Sequence, residues 1–301
     1  MTWRFDEIPA WRFGPELSRV QPLPGCAAPK VEYRQLDLGS LASVRKFARD
    51  FNRSGRPLDL LVCNAGIMSP PKRLVTSDGL EMQFQVNFLS HFLLSHELLA
   101  EQRQRRRRTQ QRARGQVRGR ALSEGPPSGT RLVLLSSLTH YAGPVQWEDK
   151  QSLRSYSPFT SYAFSKLANT MSAFEFQRRF ARNAARYGDC DSAVSVHPGI
   201  VNTALATGFF EQTGGTALPW AAAAAQAAMQ RLFPLVLRRP EASAEDMMVA
   251  CHAPASRVAG RYLSNGRVWL ASGFARDERR CRDLWEHACS LAGIETHESL
   301  A

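Results

Sequence analysis

The chain has 301 residues, of which 44% are hydrophobic, and a formal net charge of +12. This length and apolar fraction fit one large α/β domain better than two small ones. Most of the positive charge does not indicate a basic nucleic-acid-binding face, because nine arginines and no acid fall between Gln102 and Ser123.

Cysteine and histidine usage indicates neither a disulfide framework nor a metal site. The six cysteines form no C-x-x-C pair, and the seven histidines include no H-E-x-x-H motif. The first thirty residues have no apolar signal-peptide core. We therefore expect reduced thiols, no bound metal and a cytoplasmic protein, with membrane association as the alternative.

The first predicted elements are a strand, a helix and a second strand. Residues 1–30 are rich in proline and predict an irregular segment. Residues 31–37 read as a strand, and Ser40 begins an amphipathic helix. Residues 58–63 predict a buried strand.

The next predicted helix runs from Asp78, as its cap, to Ala100 and carries Asn87 near its middle. Asparagine is disfavoured inside helices, so another group is expected to use its side chain. Residues 102–129 follow, rich in arginine and glutamine and without an apolar period. We expect them to be a solvated, disordered insertion, with contact to RNA or an acidic membrane as the less favoured reading.

Two further buried strands are predicted over residues 131–136 and 193–197. A helix between them begins with Ser157 as its cap and Pro158 at its first position. Such a strand, helix and strand form a right-handed crossover, which brings the carboxyl ends of the strands to one edge of the sheet.

Tyr162 and Lys166 lie one turn apart on this helix and so share a face. The pKa of a phenol is about 10, and a neighbouring ammonium favours the phenolate and lowers that pKa. Such a phenol can exchange a proton with an alcohol or a carbonyl oxygen. The alternative reading is an unrelated surface tyrosine and lysine.

The last part of the chain holds an apolar segment over 204–240 and a short strand over 260–263. Polar residues and a proline interrupt the apolar segment, which favours a lid or a helix at a membrane or lipid-droplet surface over a membrane span. A terminal helix over 276–292 and a tail over 294–301 complete the predicted organisation.

At these motifs the sequence resembles the short-chain dehydrogenase/reductase family. Five ordered motifs carry the resemblance, from about residue 31 to residue 293: Cys63-Asn64-Ala65-Gly66, Asn87, Ser136-Ser137, Tyr162-x-x-x-Lys166 and His197-Pro198-Gly199. The amino-acid sequences of the flanking segments are most similar to those of the branch that contains retinol dehydrogenases, the WW-domain oxidoreductase and the X-linked polyprenol dehydrogenase.

The resemblance implies a single Rossmann-like, doubly wound parallel sheet and an NAD(P)-dependent alcohol–carbonyl oxidoreductase with an apolar retinoid, polyprenoid or steroid-like substrate. It implies Tyr162 as the proton-exchanging group, Lys166 as its partner, Ser137 as the residue that holds the substrate oxygen, and Asn87 as support for a proton relay. NADP is the implied cofactor, with NAD as the alternative. The implied cofactor contacts are Asp37, Leu38, Asn64, Ala65, Gly66, Tyr162, Lys166, Pro198, Gly199, Val201 and Thr203. No specific nucleic acid is implied, and a homodimer is compatible with the sequence.

One family motif has no counterpart before Val31: the glycine-rich turn that cradles the cofactor's pyrophosphate. We therefore describe the sheet as N-terminally truncated and expect weak cofactor binding. The alternative function is a non-catalytic scaffold or interaction protein that has lost tight cofactor binding.

Overall fold

A parallel sheet forms the centre of the computed structural model, which describes residues 30–116, 129–188, 190–199 and 240–295. Its five strands lie side by side in chain order, and only the last one is antiparallel to its neighbour. They are β1 (Leu60–Cys63), β2 (Arg131–Leu135), β3 (Ser192–His197), β4 (Tyr262–Ser264) and β5 (Arg267–Trp269). The predicted α/β class and the parallel pairing of residues 58–63, 131–136 and 193–197 are confirmed.

The strand predicted over residues 31–37 is wrong. These residues belong to no strand in the described part of the chain, where β1 is the first strand of the sheet. A parallel strand needs a neighbour for its backbone hydrogen bonds, and its apolar side chains need a covering layer. The second condition is not met, because Val31 and Tyr33 are 50% and 70% exposed.

The helix that carries Tyr162 and Lys166 is α4 (Pro158–Tyr187), and its ends follow the predicted signals. The Ser157 side chain accepts a hydrogen bond from the Thr160 amide at the start. Gly188 ends the helix in the left-handed conformation, which a residue without Cβ adopts at little cost. Nearly the whole first half of α4 is buried, so its polar side chains must find partners inside the protein.

The segment around Asn87 is not the regular helix that the sequence predicts. A short helix α2 (Met82–Phe84) with Glu81 as its cap leads into a wider π-helical turn (Gln85–Leu89), and α3 (Ser90–Gln116) follows. Asp78 caps a different helix, since its carboxylate accepts a hydrogen bond from the Leu41 amide at the start of α1 (Leu41–Arg53).

Helix α3 also corrects the predicted disordered insertion over 102–129, because residues 102–116 are helical. Residues 117–128 lie outside the described part. Arg103 and Arg106 on α3 each bind Asp191, with Arg–carboxylate distances of 2.6 Å. Asp191 is fully buried and also accepts a hydrogen bond of 2.7 Å from the Thr130 amide. The arginine-rich sequence therefore continues α3 and joins it to the start of β2 and β3.

The remaining helices are α5 (Pro240–His252), α6 (Ala255–Val258), α7 (Gly273–Arg276) and α8 (Glu278–Ala292). An aromatic cluster joins α8 to α3 and α4: Trp285 lies edge-on to Phe92 and Phe176, with ring centroids 4.8 and 4.7 Å apart. None of the helices in the described ranges has the length and apolar character needed to cross a membrane. The predicted lid or lipid-contacting segment lies, over residues 204–239, outside the described part.

Candidate active site

The carboxyl ends of β1, β2 and β3 lie at one edge of the sheet, because these strands are parallel and adjacent. Asn64 follows β1, Ser136 and Ser137 follow β2, and Pro198 follows β3. Tyr162 and Lys166 approach this edge from the first turns of α4, where both side chains are buried. Most of the sequence-predicted residues are therefore brought to one place.

The two serines after β2 point in different directions. The Ser136 hydroxyl is buried, donates to the Lys166 carbonyl oxygen at 2.9 Å and accepts from the Thr170 hydroxyl at 2.8 Å. Ser137 is only half-buried, and its side chain hydrogen-bonds with Tyr162. This is the arrangement expected for the second serine, and it leaves Ser136 as a fixed link between β2 and α4.

Tyr162 does not have the lowered pKa that its spacing from a lysine predicts. Burial raises the pKa of Tyr162 to about 12, and the hydrogen bond with Ser137 opposes this shift. The Lys166 Nζ atom is 5.5 Å from the centroid of the Tyr162 ring. The prediction is wrong because removing a phenolate from water costs more than an ammonium at this distance recovers. Tyr162 is consequently a neutral phenol at neutral pH.

Lys166 is buried directly beneath the edge of the sheet. Its ammonium donates a hydrogen bond of 3.3 Å to the Leu135 carbonyl oxygen, at the last residue of β2. Burial lowers the pKa of Lys166 to about 8. The lysine therefore titrates closer to neutral pH than a solvated lysine, which suits a group that passes protons to and from its surroundings.

Asn87 fixes the loop after β1 rather than facing open space. Its side-chain amide donates to the Ile67 carbonyl oxygen and the Ser165 hydroxyl, both at 2.9 Å, and accepts from the Ile67 amide at 2.7 Å. Its backbone carbonyl, displaced by the π-helical turn, accepts a hydrogen bond of 3.0 Å from the Asn169 side chain. The relay role of Asn87 stays a prediction, and these bonds establish its contact with the loop that carries Gly66.

Asn169 is a site residue that the sequence reasoning missed. Its amide nitrogen donates both to the Asn87 carbonyl oxygen and, at 2.9 Å, to the Leu135 carbonyl oxygen. It thereby joins the π-helical turn to the end of β2, where Lys166 also binds. The sequence feature that could have identified Asn169 is its position three residues after Lys166, on the same face of α4.

The predicted cofactor contacts that the structure describes are mostly accessible to solvent. Asn64, Ala65 and Asp37 are exposed, Leu38 is half-buried, and Pro198 and Gly199 are half-buried at the end of β3. A Cβ added to Gly66 would lie 2.9 Å from Asn87 Oδ1 and 3.7 Å from Lys166 Nζ, so only glycine leaves this space clear. Gly66, Tyr162 and Lys166 are predicted cofactor contacts, and this role stays a prediction. Val201 and Thr203 lie outside the described residues.

A cavity of about 570 Å³ adjoins the serine side of the site. One wall is Leu138, which directly follows Ser137, and the opposite wall comes from the hairpin of β4 and β5. Its lining residues are Leu138, Ser264, Asn265, Arg267 and Trp269. The cavity offers a small molecule both apolar surface and polar groups, and Leu138 in its lining is the chain neighbour of Ser137. No cluster of three or more potential metal ligands occurs among the residues that the structure describes.

The chain is similar to known proteins in sequence and in fold. A family model described as short chain dehydrogenase matches residues 17–109. Polyprenol dehydrogenase of Mus musculus is 38% identical over 267 residues, which cover 88% of this chain and 69% of that protein. Retinol dehydrogenase 11 of Mus musculus is 31% identical over 266 residues, which cover 88% of this chain and 71% of that protein. A crystal structure of an uncharacterized protein from Mycobacterium Paratuberculosis matches with a TM-score of 0.54 and 27% identity, over 89% of this chain and 78% of that one.

Proposed function

Because the chain belongs to the short-chain dehydrogenase/reductase family, as its motifs predicted, we propose that it is an NAD(P)-dependent oxidoreductase that interconverts an alcohol and a carbonyl on an apolar substrate. The observation that carries the proposal is the pairing of the Ser137 and Tyr162 hydroxyls above the buried ammonium of Lys166. Two hydroxyls at one point can hold a single substrate oxygen, and a phenol with a lysine below it can exchange the oxygen's proton.

Tyr162 is the group that exchanges the proton. In the reductive direction the carbonyl carbon gains a hydride and the carbonyl oxygen gains the Tyr162 Oη proton, so that the C=O double bond becomes C–H and O–H bonds. The raised pKa of Tyr162 keeps this proton in place at neutral pH. In the oxidative direction the proton moves from the alcohol oxygen to Oη, which requires prior loss of the phenolic proton and is favoured as pH rises.

Lys166 and Asn87 support this exchange in different ways. Lys166 would bind the ribose hydroxyls of the cofactor and return a proton to Tyr162, a role that suits its lowered pKa of about 8. Asn87 holds the loop of Gly66 against the lysine and supports the proton path that ends there.

A bound nicotinamide cofactor would supply or accept the hydride, and NADP is our first choice with NAD as the alternative. The residues that would hold it are Asp37 and Leu38 at the adenine end, Asn64, Ala65 and Gly66 after β1, Tyr162 and Lys166 at the ribose, and Pro198, Gly199, Val201 and Thr203 at the nicotinamide.

Substitution of Ser137 tests its proposed role in binding the substrate oxygen, and substitution of the adjacent Ser136 is the control. We expect Ser137→Ala to lower kcat about a hundredfold, because one donor to the reacting oxygen is lost, as for a single oxyanion-hole donor. Ser136→Ala removes the bond to the Lys166 carbonyl but no donor to substrate, so its kcat should stay within about tenfold of wild type. Steady-state rates of both variants measure the difference. Equal losses, or a larger loss for Ser136→Ala, would contradict the assignment.

An apolar substrate is favoured by two observations. Polyprenols and retinol, the alcohols in the names of the similar proteins, have long apolar bodies. The cavity beside Ser137 offers apolar walls at Leu138 and Trp269, of which Trp269 is 59% exposed. We place the apolar body of the substrate against these walls.

Substitutions of Trp269 and of Val268, its neighbour on β5, test where the apolar body of the substrate lies. Trp269→Ala should raise the KM for a long apolar alcohol about tenfold, because much of an indole's apolar contact is lost. The KM for a short alcohol that does not reach the hairpin should change little. Val268→Ala is the matched control, since successive strand residues point to opposite faces and Val268 does not line the cavity. A similar KM change for both alcohols, or for both variants, would exclude this placement.

The proposed function is tested with purified protein, retinol or a polyprenol as the alcohol, and NADP⁺ or NAD⁺. Appearance of the reduced nicotinamide together with the aldehyde would support an oxidoreductase, and the ratio of the two cofactor rates would give the preference. Binding of cofactor without turnover of any apolar alcohol or aldehyde, or no binding at all, would favour the non-catalytic scaffold.

A further inference from the structure

His140 joins the site serine to a distant part of the chain. The residue is buried in a 3₁₀ turn (Leu138–Tyr141) that begins directly after Ser137. Its ring Nδ1 lies 2.8 Å from the Ser137 carbonyl oxygen, and its Nε2 lies 3.1 Å from the backbone nitrogen of Ser272. Ser272 is the residue that caps α7, 132 positions further along the chain.

The two contacts define the protonation of the ring. The Ser272 amide can only donate, so Nε2 must be an unprotonated acceptor. A carbonyl oxygen can only accept, so Nδ1 carries the proton and donates it to Ser137. Both bonds exist together only in the neutral imidazole with its proton on Nδ1.

From this geometry we infer that neutral His140 is a positioning residue for Ser137, holding the serine backbone so that its hydroxyl faces Tyr162. The inference rests on the proposed function of Ser137 as the residue that binds the substrate oxygen. The Ser137 carbonyl receives two hydrogen bonds from His140, one from the backbone amide at 3.1 Å and one from Nδ1. The Ser137 hydroxyl accepts a third, of 3.2 Å, from the Thr139 amide. The ring bond to Ser272 extends this support beyond the turn itself.

The surroundings of His140 favour the neutral ring. The titratable groups in contact with it are the phenols of Tyr141, on the same turn, and Tyr262, on β4, with ring centroids 4.1 and 4.7 Å away. Burial lowers the pKa of His140 from 6.5, against a smaller opposite effect of the bond to Ser137. The bond from the Ser272 amide to Nε2 is therefore complete above pH 6.5 and is lost as pH falls through the lowered pKa, because a protonated Nε2 can no longer accept it, while the Nδ1 bond to Ser137 remains.

Two substitutions separate the two ring contacts. The amide nitrogen of Asn lies near the position of Nδ1, so His140→Asn can keep the bond to Ser137 and loses the one to Ser272. The amide oxygen of Gln lies near Nε2, so His140→Gln can keep the bond to Ser272 and loses the one to Ser137. Tyr141→Phe is the matched control, since Tyr141 donates to the Leu270 carbonyl oxygen and joins the same two segments without touching Ser137.

If the inference is correct, both His140 variants lower kcat about tenfold while the Kd for NADPH stays within about twofold, as a small displacement of a reacting group would produce. In carbonyl reduction, where Tyr162 starts as a neutral phenol, wild type should show an acidic fall in kcat below pH 6.5 that both variants lose. Tyr141→Phe should keep that fall and a kcat within about twofold of wild type. Wild-type kcat in both His140 variants, or an acidic fall that persists in them, would overturn the inference.

A measurement independent of activity separates this inference from the proposed function. Nitrogen-15 NMR of the histidine rings in the full chain should show one ring, absent from the spectrum of His140→Gln, that is neutral and protonated on Nδ1 at neutral pH. A ring protonated on Nε2, or an imidazolium, would overturn the inference whether or not the protein turns over substrate. An Nδ1-protonated ring in a protein without turnover would support the geometry and contradict only the proposed function.

Discussion

Tyr162→Phe is expected to lower kcat about a thousandfold, within the range that a positioned acid–base group contributes. The substitution removes one buried hydroxyl that hydrogen-bonds with Ser137 and leaves the ring among its apolar neighbours. Cofactor affinity should change far less than kcat. Single-turnover rates with saturating cofactor measure the loss without a contribution from product release.

Tyr262→Phe is the matched control for this prediction. Tyr262 is also buried, and its hydroxyl has no hydrogen-bond partner among the described residues, so removing it should leave the rate close to that of wild type. The pH dependence adds a second criterion. Alcohol oxidation by wild type should become faster as pH rises, because the pKa of Tyr162 is raised, and this increase should disappear in Tyr162→Phe. A variant that kept most of its activity would exclude Tyr162 as the proton-exchanging group.

Asp191→Asn is expected to give the largest loss of stability, a free energy of unfolding lower by about 3–5 kcal/mol. The fully buried carboxylate is the partner of both Arg103 and Arg106, and Asn would leave two guanidinium groups in the protein interior without their negative charge. Each kcal/mol lowers the Tm of a domain of this size by about 2–4 °C, so the Tm should fall by about 10 °C.

The control for Asp191 is an ion pair at the surface. Asp50 binds Lys46 at 2.8 Å, with both side chains exposed, and Asp50→Asn should leave the Tm nearly unchanged because solvent screens the pair. Thermal unfolding followed by circular dichroism compares the two variants. If Asp191→Asn melted with wild type, the contacts between the arginine-rich end of α3 and Asp191 would not stabilise the fold.

Sequence reasoning correctly predicted the edge of the sheet at the carboxyl ends of the parallel strands and several residues that lie there. Local sequence patterns and the order of elements along the chain decide these features. Helix-start signals at Ser157 and Pro158 fixed the register of α4, which put Tyr162 and Lys166 on one face. Apolar runs that end in polar residues predicted β2 and β3 and the position of Ser137.

The arginine-rich segment shows why other features could not be predicted. Repulsion between like charges argued for a solvated chain, but the partner of Arg103 and Arg106 is a single aspartate more than eighty positions away in sequence. A contact of that separation leaves no periodic signal. The wrong prediction of a strand over 31–37 has a similar cause. Whether a strand forms there depends on a neighbouring strand and not only on its own residues.

The pKa of Tyr162 could not be predicted from its spacing to Lys166, because burial has the larger effect on it. The four-residue interval correctly placed Lys166 near the phenol, and the expected effect of its charge on the pKa was in the right direction for an exposed pair. Only the structure shows that Tyr162 and Lys166 are both buried, so that desolvation dominates both pKa values.

Transfer of a label from the cofactor to the substrate tests the proposed oxidoreductase function most directly. Protein incubated with an apolar aldehyde and NADPH carrying deuterium at both C4 positions of the nicotinamide should release an alcohol with one deuterium on the former carbonyl carbon, measured by mass spectrometry. Tyr162→Phe should form this product about a thousandfold more slowly, and Tyr262→Phe at nearly the wild-type rate. An alcohol product without deuterium, or equal labelling by wild type and Tyr162→Phe, would contradict a nicotinamide-dependent reaction at this site.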